Sequence, residues 1–154
     1  MAATGTATGV VELLEQELTL LSRHQLSSAH HNPELILERS AYQLLGRLEF
    51  GPLSLKQLAE LFRLDVSTVN RQIASLRRKG LVERVADPAG GVAQLLRPTR
   101  QGLARLRADR ATRHRQIGEV LRTWDPEDVE RLQEMLARFN VSIESLEGQP
   151  WPRS

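Results

Sequence analysis

The chain has 154 residues, no cysteine and a formal net charge of +2, and 40% of its residues are apolar. The lack of cysteine excludes disulfides, thiolate zinc sites and thiol redox sensing. Because no apolar run approaches the roughly 18 residues that span a bilayer, and the first residues lack a secretory pattern, we expect a cytoplasmic protein without a membrane partner.

Positive charge is concentrated in one third of the chain. Between Arg63 and Arg115 there are 13 Lys and Arg against 4 Asp and Glu, a net of +9. The remainder holds 8 against 15, a net of −7, so the two parts sum to +2. This segregation is typical of a basic surface that meets a polyanion. Arginine used only as a solubilising residue is the alternative.

The first third is predicted to be helical. Residues 1–9 are expected to be flexible, and a first helix is predicted from about Val10 to Gln25. Its apolar residues cover more than one face, which indicates either a second subunit or a helix surrounded by its own domain. Asn32-Pro33 has the pattern of a helix start. The second helix would then bury Leu37, Ala41, Leu44, Leu45 and Leu48.

Residues 53–84 have the pattern of a helix-turn-helix. Ser54 and Gln57 have capping-box spacing, and Asp65 has the position of the next cap. In the second helix, one face is apolar (Val66, Val69, Ile73, Leu76). Arg71 lies opposite, and Gly80 ends the helix. Such a basic face can enter a major groove, whereas a plain helical hairpin would merely leave it solvated.

A β-hairpin is predicted directly after this helix. Strands at residues 81–86 and 92–97 flank a turn rich in Pro and Gly. Because a hairpin in this place is a wing, it favours a winged helix-turn-helix over a plain hairpin.

Two helices are predicted to complete the chain. Thr99 would cap a long helix that reaches about Thr123, and Asp125-Pro126 would begin a last helix with a coiled-coil-like apolar seam. The predicted organisation is a flexible N-terminus (1–9), dimerisation and scaffold helices (10–50), a winged helix-turn-helix (51–98), C-terminal dimerisation helices (99–147) and a flexible tail (148–154).

Three short stretches form a spaced pattern: Leu58-Ala59, Val66 to Arg71, and Leu76 with Gly80-Leu81-Val82. Through this pattern the chain resembles the MarR family of winged helix-turn-helix bacterial transcription regulators over nearly its whole length. This resemblance implies a mainly α fold of about six helices with a small β-hairpin wing. It also implies a homodimer that binds a palindromic operator near a promoter. Such a protein would be associated with the nucleoid, and repression is its expected role.

The resemblance also assigns residues to these roles. Ser67, Thr68 and Arg71 map onto the base-reading part of the recognition helix, with Asn70 and Ser75 as weaker candidates. Phosphate contacts are expected from Lys56, Arg77, Arg78, Lys79, Arg84 and Arg97. Dimer contacts are expected from Val10, Leu14, Leu18, Leu121, Leu132, Leu136, Phe139 and Ile143.

The wing departs from the family pattern. Family members usually carry an arginine near the wing tip, but this turn has none, and Arg84 and Arg97 stand only at its base. Weaker minor-groove readout is therefore expected. An arginine placed at Gly91 would steepen the salt dependence of DNA binding if the wing reaches DNA.

The middle of the long helix is a candidate effector site. In the family this region borders a cavity for small aromatic or anionic effectors, which points to His24, Tyr42, Arg110, Arg113 and His114. Ion pairs with Glu12, Glu15 or Glu17 of the first helix, or plain solvation, are the alternatives that the residues themselves favour.

No enzyme, cofactor or metal site is predicted. The chain has four histidines, and His30 and His31 are adjacent, so three or four convergent ligands are not indicated. No phosphate loop or nucleophile pattern stands out. The alternatives to a specific regulator are a winged-helix protein-interaction module and a non-specific nucleoid-binding protein.

Overall fold

A computed structural model describes residues 3–24 and 35–153, with the side chains of the first helix described from Gly9 onward. Its elements follow one another in the order α1 (Ala3–Arg23), α2 (Arg39–Leu48), α3 (Leu55–Phe62), α4 (Val66–Arg78), β1 (Val82–Ala86), β2 (Gln94–Pro98), α5 (Arg100–Val120) and α6 (Pro126–Glu147). The predicted fold class, mainly α with a β-hairpin wing, is confirmed.

The hydrophobic core lies where α2, α3, α4, the hairpin and the first half of α5 meet. Leu45, Leu58, Val69 and Leu106 are fully buried there, one from each of the four helices. The strands pair antiparallel, with Val82 opposite Pro98 and Ala86 opposite Gln94. Among the described residues, Leu44, Leu48, Ile73 and Leu96 are also fully buried.

Local signals set the starts of the helices around the turn and the wing. Ser54 and Gln57 form the predicted capping box, and the hydroxyl of Thr99 accepts a hydrogen bond from the Gly102 N–H at 3.0 Å. Asp65 and Asp125 occupy the N-cap positions of α4 and α6, but neither side chain makes a capping hydrogen bond.

Three predictions in the first half of the chain are corrected. Helix α1 begins at Ala3, inside the segment expected to be flexible. Helix α2 begins only at Arg39, and Leu37 is buried in the extended segment before it; the predicted start at Asn32-Pro33 lies outside the described residues. Val66 is half exposed because it stands at the first position of α4.

The C-terminal segment also differs from the prediction. The segment after Gly148 was expected to be a loose tail, yet Trp151 lies against Phe62 with ring centroids 5.4 Å apart. Arg153 pairs with Glu144 of α6. The tail therefore folds back onto the domain.

Helices α1 and α6 expose most of their apolar side chains. No side chain of α6 is buried, and none of the described side chains of α1 belongs to the core. Within residues 3–24 and 35–153, no helix is long and apolar enough to cross a membrane.

Candidate nucleic-acid interface

Helix α4 is buried on one side and exposed on the other. Val69, Ile73 and Leu76 lie in the core, at 0–2% exposure. Arg71 and Ser67 are exposed on the opposite side, because a helix turns about 100° per residue and positions two away from the apolar row point outward. The guanidinium of Arg71 therefore points away from the core and can contact a ligand outside the protein.

The other residues assigned to this surface follow the same division. Asn70 is exposed, whereas Thr68 and Ser75 are half-buried at the two borders of the exposed face. Ser75 and Lys79 line a pocket of about 250 Å³ between α4 and the start of α2. Ser75 is thus directed more toward the protein than the helical pattern indicated.

Six of the basic residues assigned to DNA binding have no acidic partner among the described residues. All six of them are exposed, and none forms an ion pair with another described residue. A phosphate contact would therefore not have to displace a carboxylate. These cations are Lys56, Arg71, Arg77, Arg78, Lys79 and Arg84.

Arg97 differs from those six residues. Its Nε donates to a carboxylate oxygen of Glu83 at 2.7 Å, directly across the hairpin, where Glu83 pairs with Arg97 in register. Both side chains are about half exposed, so the pair contributes little to stability. It does offset the charge that Arg97 would otherwise present.

The turn of the wing is built around Asp87. Its carboxylate accepts a hydrogen bond from the Ala89 N–H at 2.9 Å, and its carbonyl accepts one from the Gly90 N–H at 2.9 Å. A Cβ at Gly91 would lie 2.3 Å from the Asp87 carboxylate. Val92 is fully exposed and is the better position for an added arginine.

A cluster of aromatic and basic side chains lies between α2 and the middle of α5. The Arg113 guanidinium stacks over the Tyr42 ring at 3.9 Å. Arg110 donates to both carboxylate oxygens of Glu49, at 2.8 and 3.5 Å. This bond, together with one to Tyr42, raises the pKa of Arg110 despite partial burial.

Arg113 is the unusual member of this cluster. It is only 7% exposed, and among the described residues its Nε and Nη2 atoms have no hydrogen-bond partner. Buried donors of this kind are costly to leave unsatisfied. The structure thus brings together Tyr42, Arg110 and Arg113, whereas His24 and His114 are exposed. Arg110 pairs with Glu49 rather than with a glutamate of α1.

Asp109 holds the segment before α2 in place. Its carboxylate is completely buried and accepts hydrogen bonds from the backbone N–H groups of Ile36 and Leu37 at 3.1 and 2.7 Å. This role was not predicted. The three-residue spacing from the buried Leu106 places Asp109 on the same face of the helix, but it does not indicate the backbone partners.

No group of three or more His, Asp or Glu side chains in the described ranges is arranged to hold a metal ion. His30 and His31 lie outside those ranges.

The helix-turn-helix of α3 and α4, followed at once by the β1–β2 wing, defines a winged helix-turn-helix protein. A sequence profile of the MarR family matches residues 37–91. The chain is 40% identical over 135 residues to the uncharacterized HTH-type transcriptional regulator YxaD of Bacillus subtilis, covering 86% of this chain and 94% of that protein. The chain therefore belongs to the MarR family and is a MarR-type transcriptional regulator.

Solved structures agree at the level of the fold. A crystal structure of MarR superimposes with a TM-score of 0.74 at 21% identity, covering 88% of this chain and 93% of that one. A MarR family protein from Bacillus stearothermophilus gives 0.72 at 22% identity, covering 90% and 95%.

Proposed function

We propose that the protein is a homodimeric repressor that binds a palindromic operator through the exposed face of α4. The observation that carries this proposal is the division of α4 into a buried apolar side and an exposed side bearing Arg71. Repression follows where the operator overlaps a promoter, because a bound dimer then excludes the polymerase.

The proposed dimer rests on apolar surface that a single chain leaves uncovered. Val10 is 60% exposed, Leu136 is 42% exposed and Phe139 is 37% exposed. Soluble monomers rarely leave so many apolar side chains in water, and the three-and-four spacing on α6 suits a second helix. The proposed contact residues are Val10, Leu14, Leu18, Leu121, Leu132, Leu136, Phe139 and Ile143.

Sequence reading is assigned to the first half of α4. The planar fork of Arg71 matches N7 and O6 of guanine, a contact worth about 1–3 kcal/mol of discrimination. Ser67 lies on the same exposed side near the N-terminus of α4, and Thr68 lies at its border; both are assigned to neighbouring bases. Asn70 and Ser75 are secondary candidates.

Affinity without sequence preference is assigned to the cations around this face. Lys56, Arg77, Arg78, Lys79 and Arg84 would contact phosphate, which releases counterions and makes binding salt-dependent. Arg97 is expected to contribute least of the assigned cations, because it is already bound to Glu83.

Selection of bound sequences from random duplex DNA tests the proposal. A two-fold dimer should enrich a palindrome whose half-sites lie about 10–10.5 base pairs apart, one helical turn. Retention of DNA without an enriched sequence would instead indicate a non-specific nucleoid-binding protein. No retention at all would favour a winged-helix module that binds protein.

A response to a small anionic or aromatic effector is proposed as a second property. It is supported by Arg113, whose buried Nε and Nη2 donors have no partner within residues 3–24 and 35–153 and whose guanidinium already stacks on Tyr42. A carboxylate could accept from those donors in a bidentate manner. An effector that prefers a dimer with displaced recognition helices would weaken operator binding in proportion to that preference.

Benzoate, a simple aromatic carboxylate, is a suitable probe. Benzoate should raise the melting temperature of the wild-type protein. It should do the same in the control variant Arg105→Met, because Arg105 is an exposed residue on the same helix. Arg113→Met should abolish the increase. Equal increases in Arg113→Met and wild type would refute the assigned site.

A further inference from the structure

The C-terminal residues 149–153, here called the strap, leave α6 by a sharp reversal. Helix α6 ends at Glu147, and the next residue, Gly148, caps it in a left-handed conformation with φ +67°. The Gln149 N–H then donates to the Glu144 carbonyl at 3.2 Å. Pro150 and Pro152 flank Trp151 and restrict the backbone on both sides of it. The strap is therefore a stiff segment directed back along α6.

Arg153 anchors the end of the strap to α6. Its two terminal nitrogens donate to the two carboxylate oxygens of Glu144, at 2.8 and 2.5 Å. The pKa of Glu144 is lowered by this bond and that of Arg153 is raised. Arg153 also donates to the Trp151 carbonyl at 3.1 Å, so the anchor fixes the tryptophan backbone as well.

The strap also contacts the C-terminal end of α3. Trp151 meets Phe62 edge-to-face, with an interplanar angle of 80°. The side-chain amide of Gln149 donates to the Glu60 carbonyl at 3.4 Å. Just before the strap, Glu147 pairs with Arg63 at 3.1 Å. These contacts converge on the last residues of α3 and on the residue after it.

Arg63 makes this location important. It ends α3 in a left-handed conformation, with φ +51°, and only Leu64 and Asp65 separate it from α4. Beside the strap, a groove of about 670 Å³ lies between the end of α3 and α6. Beside this groove, Glu147, Gln149 and Trp151 supply contacts from α6 and the strap to the end of α3.

We propose that the strap is a positioning element that fixes the helix-turn-helix relative to α6, and so fixes the recognition helix within the dimer. This inference rests on the proposed operator-binding function. Trp151, Arg153 and Glu144 are positioning residues in this account, since they act on α4 through α3 and do not themselves reach DNA.

The geometric part can be tested without DNA and without assuming a dimer. The chain has no cysteine, so Ala86→Cys on β1 and Glu134→Cys on α6 carry the only spin labels. Labelled chains diluted with unlabelled chains report one intramolecular distance. We expect a narrow distribution in the otherwise wild-type protein and in Trp151→Phe, which keeps an aromatic edge. Trp151→Ala should broaden or shift it.

The functional part uses operator affinity measured on the full chain. Trp151→Ala should weaken binding by about 3- to 10-fold, the range expected when one aromatic pair is lost. Arg131→Gln is the matched control, because Arg131 pairs with Asp128 on the same helix at 3.4 Å and does not touch the strap. It should bind as wild type.

Charge reversal covers the case in which Trp151→Ala fails to fold. Arg153→Glu should broaden the distance distribution and weaken operator binding. Adding Glu144→Arg should restore the narrow distribution and the operator affinity. The proposal would be overturned if the distance distribution of Trp151→Ala and Arg153→Glu matched that of the wild type. It would also be overturned if the distribution changed but operator affinity did not. If the wild-type chain selects no operator, the proposed function fails, and the distance measurement still decides whether the strap positions the helix-turn-helix.

Discussion

The closest backbone approach at a glycine in the described structure occurs at Gly102, in the first turn of α5. A Cβ there would lie 2.0 Å from the Leu81 carbonyl oxygen and 3.0 Å from its carbon. That oxygen also accepts from the Thr99 N–H at 3.0 Å, while the Gly102 N–H donates to the Thr99 hydroxyl. Neither backbone segment can move away without breaking these bonds.

We therefore expect Gly102→Ala to lower the free energy of unfolding by about 1–3 kcal/mol, the usual cost of overpacking. Gly118→Ala is the matched control on the same helix, since nothing lies within 4 Å of its Cβ position. That change should raise stability by roughly 0.5–1 kcal/mol, the helix preference of alanine over glycine. Urea unfolding followed by circular dichroism, at one fixed protein concentration, measures both. Wild-type stability in Gly102→Ala would refute the argument.

Three further predictions concern the wing, the segment before α2 and the strap. Val92→Arg should steepen the salt dependence of operator binding by roughly 0.9 for each wing that reaches a phosphate; Val92→Gln is the uncharged control, and equal slopes would place the wing away from DNA. Asp109→Ala should cost about 1–3 kcal/mol, mainly because it leaves the buried N–H of Leu37 unpaired, measured by urea unfolding, whereas wild-type stability would show that the loop relaxes freely. Because Arg153 lowers the pKa of Glu144, the strap contact should persist at neutral pH and be lost as the pH falls through that lowered pKa; spin-label distances that stay constant on acidification would contradict this.

The elements that the sequence predicted well are those whose signals are local. The capping box of Ser54 and Gln57, the cap at Thr99 and the start of α6 at Pro126 depend on residues only a few positions apart. The buried row of α4 follows from helical periodicity, as does the outward direction of Arg71. The exposed face of α4 could therefore be located before any coordinates were known.

The features that were missed depend on contacts between distant parts of the chain. Asp109 binds backbone groups 72 and 73 residues earlier, and Gln149 reaches Glu60 across 89 residues. No periodic pattern marks such partners. The tail was expected to be loose because its composition, rich in Pro and polar residues, is that of a loop. Composition does not reveal that Trp151 meets Phe62.

For the basic cluster on α5, only part of the arrangement could be predicted from the sequence. Helical spacing is enough to place Arg113 on the same face as Leu106, seven residues earlier, and both are buried. The partner of Arg110 was not predictable, because Glu49 lies 61 residues earlier, just beyond the end of α2. Sequence distance alone gave no reason to prefer it over the glutamates of α1.

The most direct test of the account compares specific with non-specific binding in Arg71→Ala. Loss of the proposed guanine contact should weaken operator binding by about 5- to 150-fold, corresponding to about 1–3 kcal/mol, and leave affinity for random duplex DNA within about two-fold. Arg78→Ala, which removes a proposed phosphate contact, should weaken both kinds of binding to a similar extent. Operator affinity that is unchanged in Arg71→Ala would contradict the claim that the exposed face of α4 reads the DNA sequence.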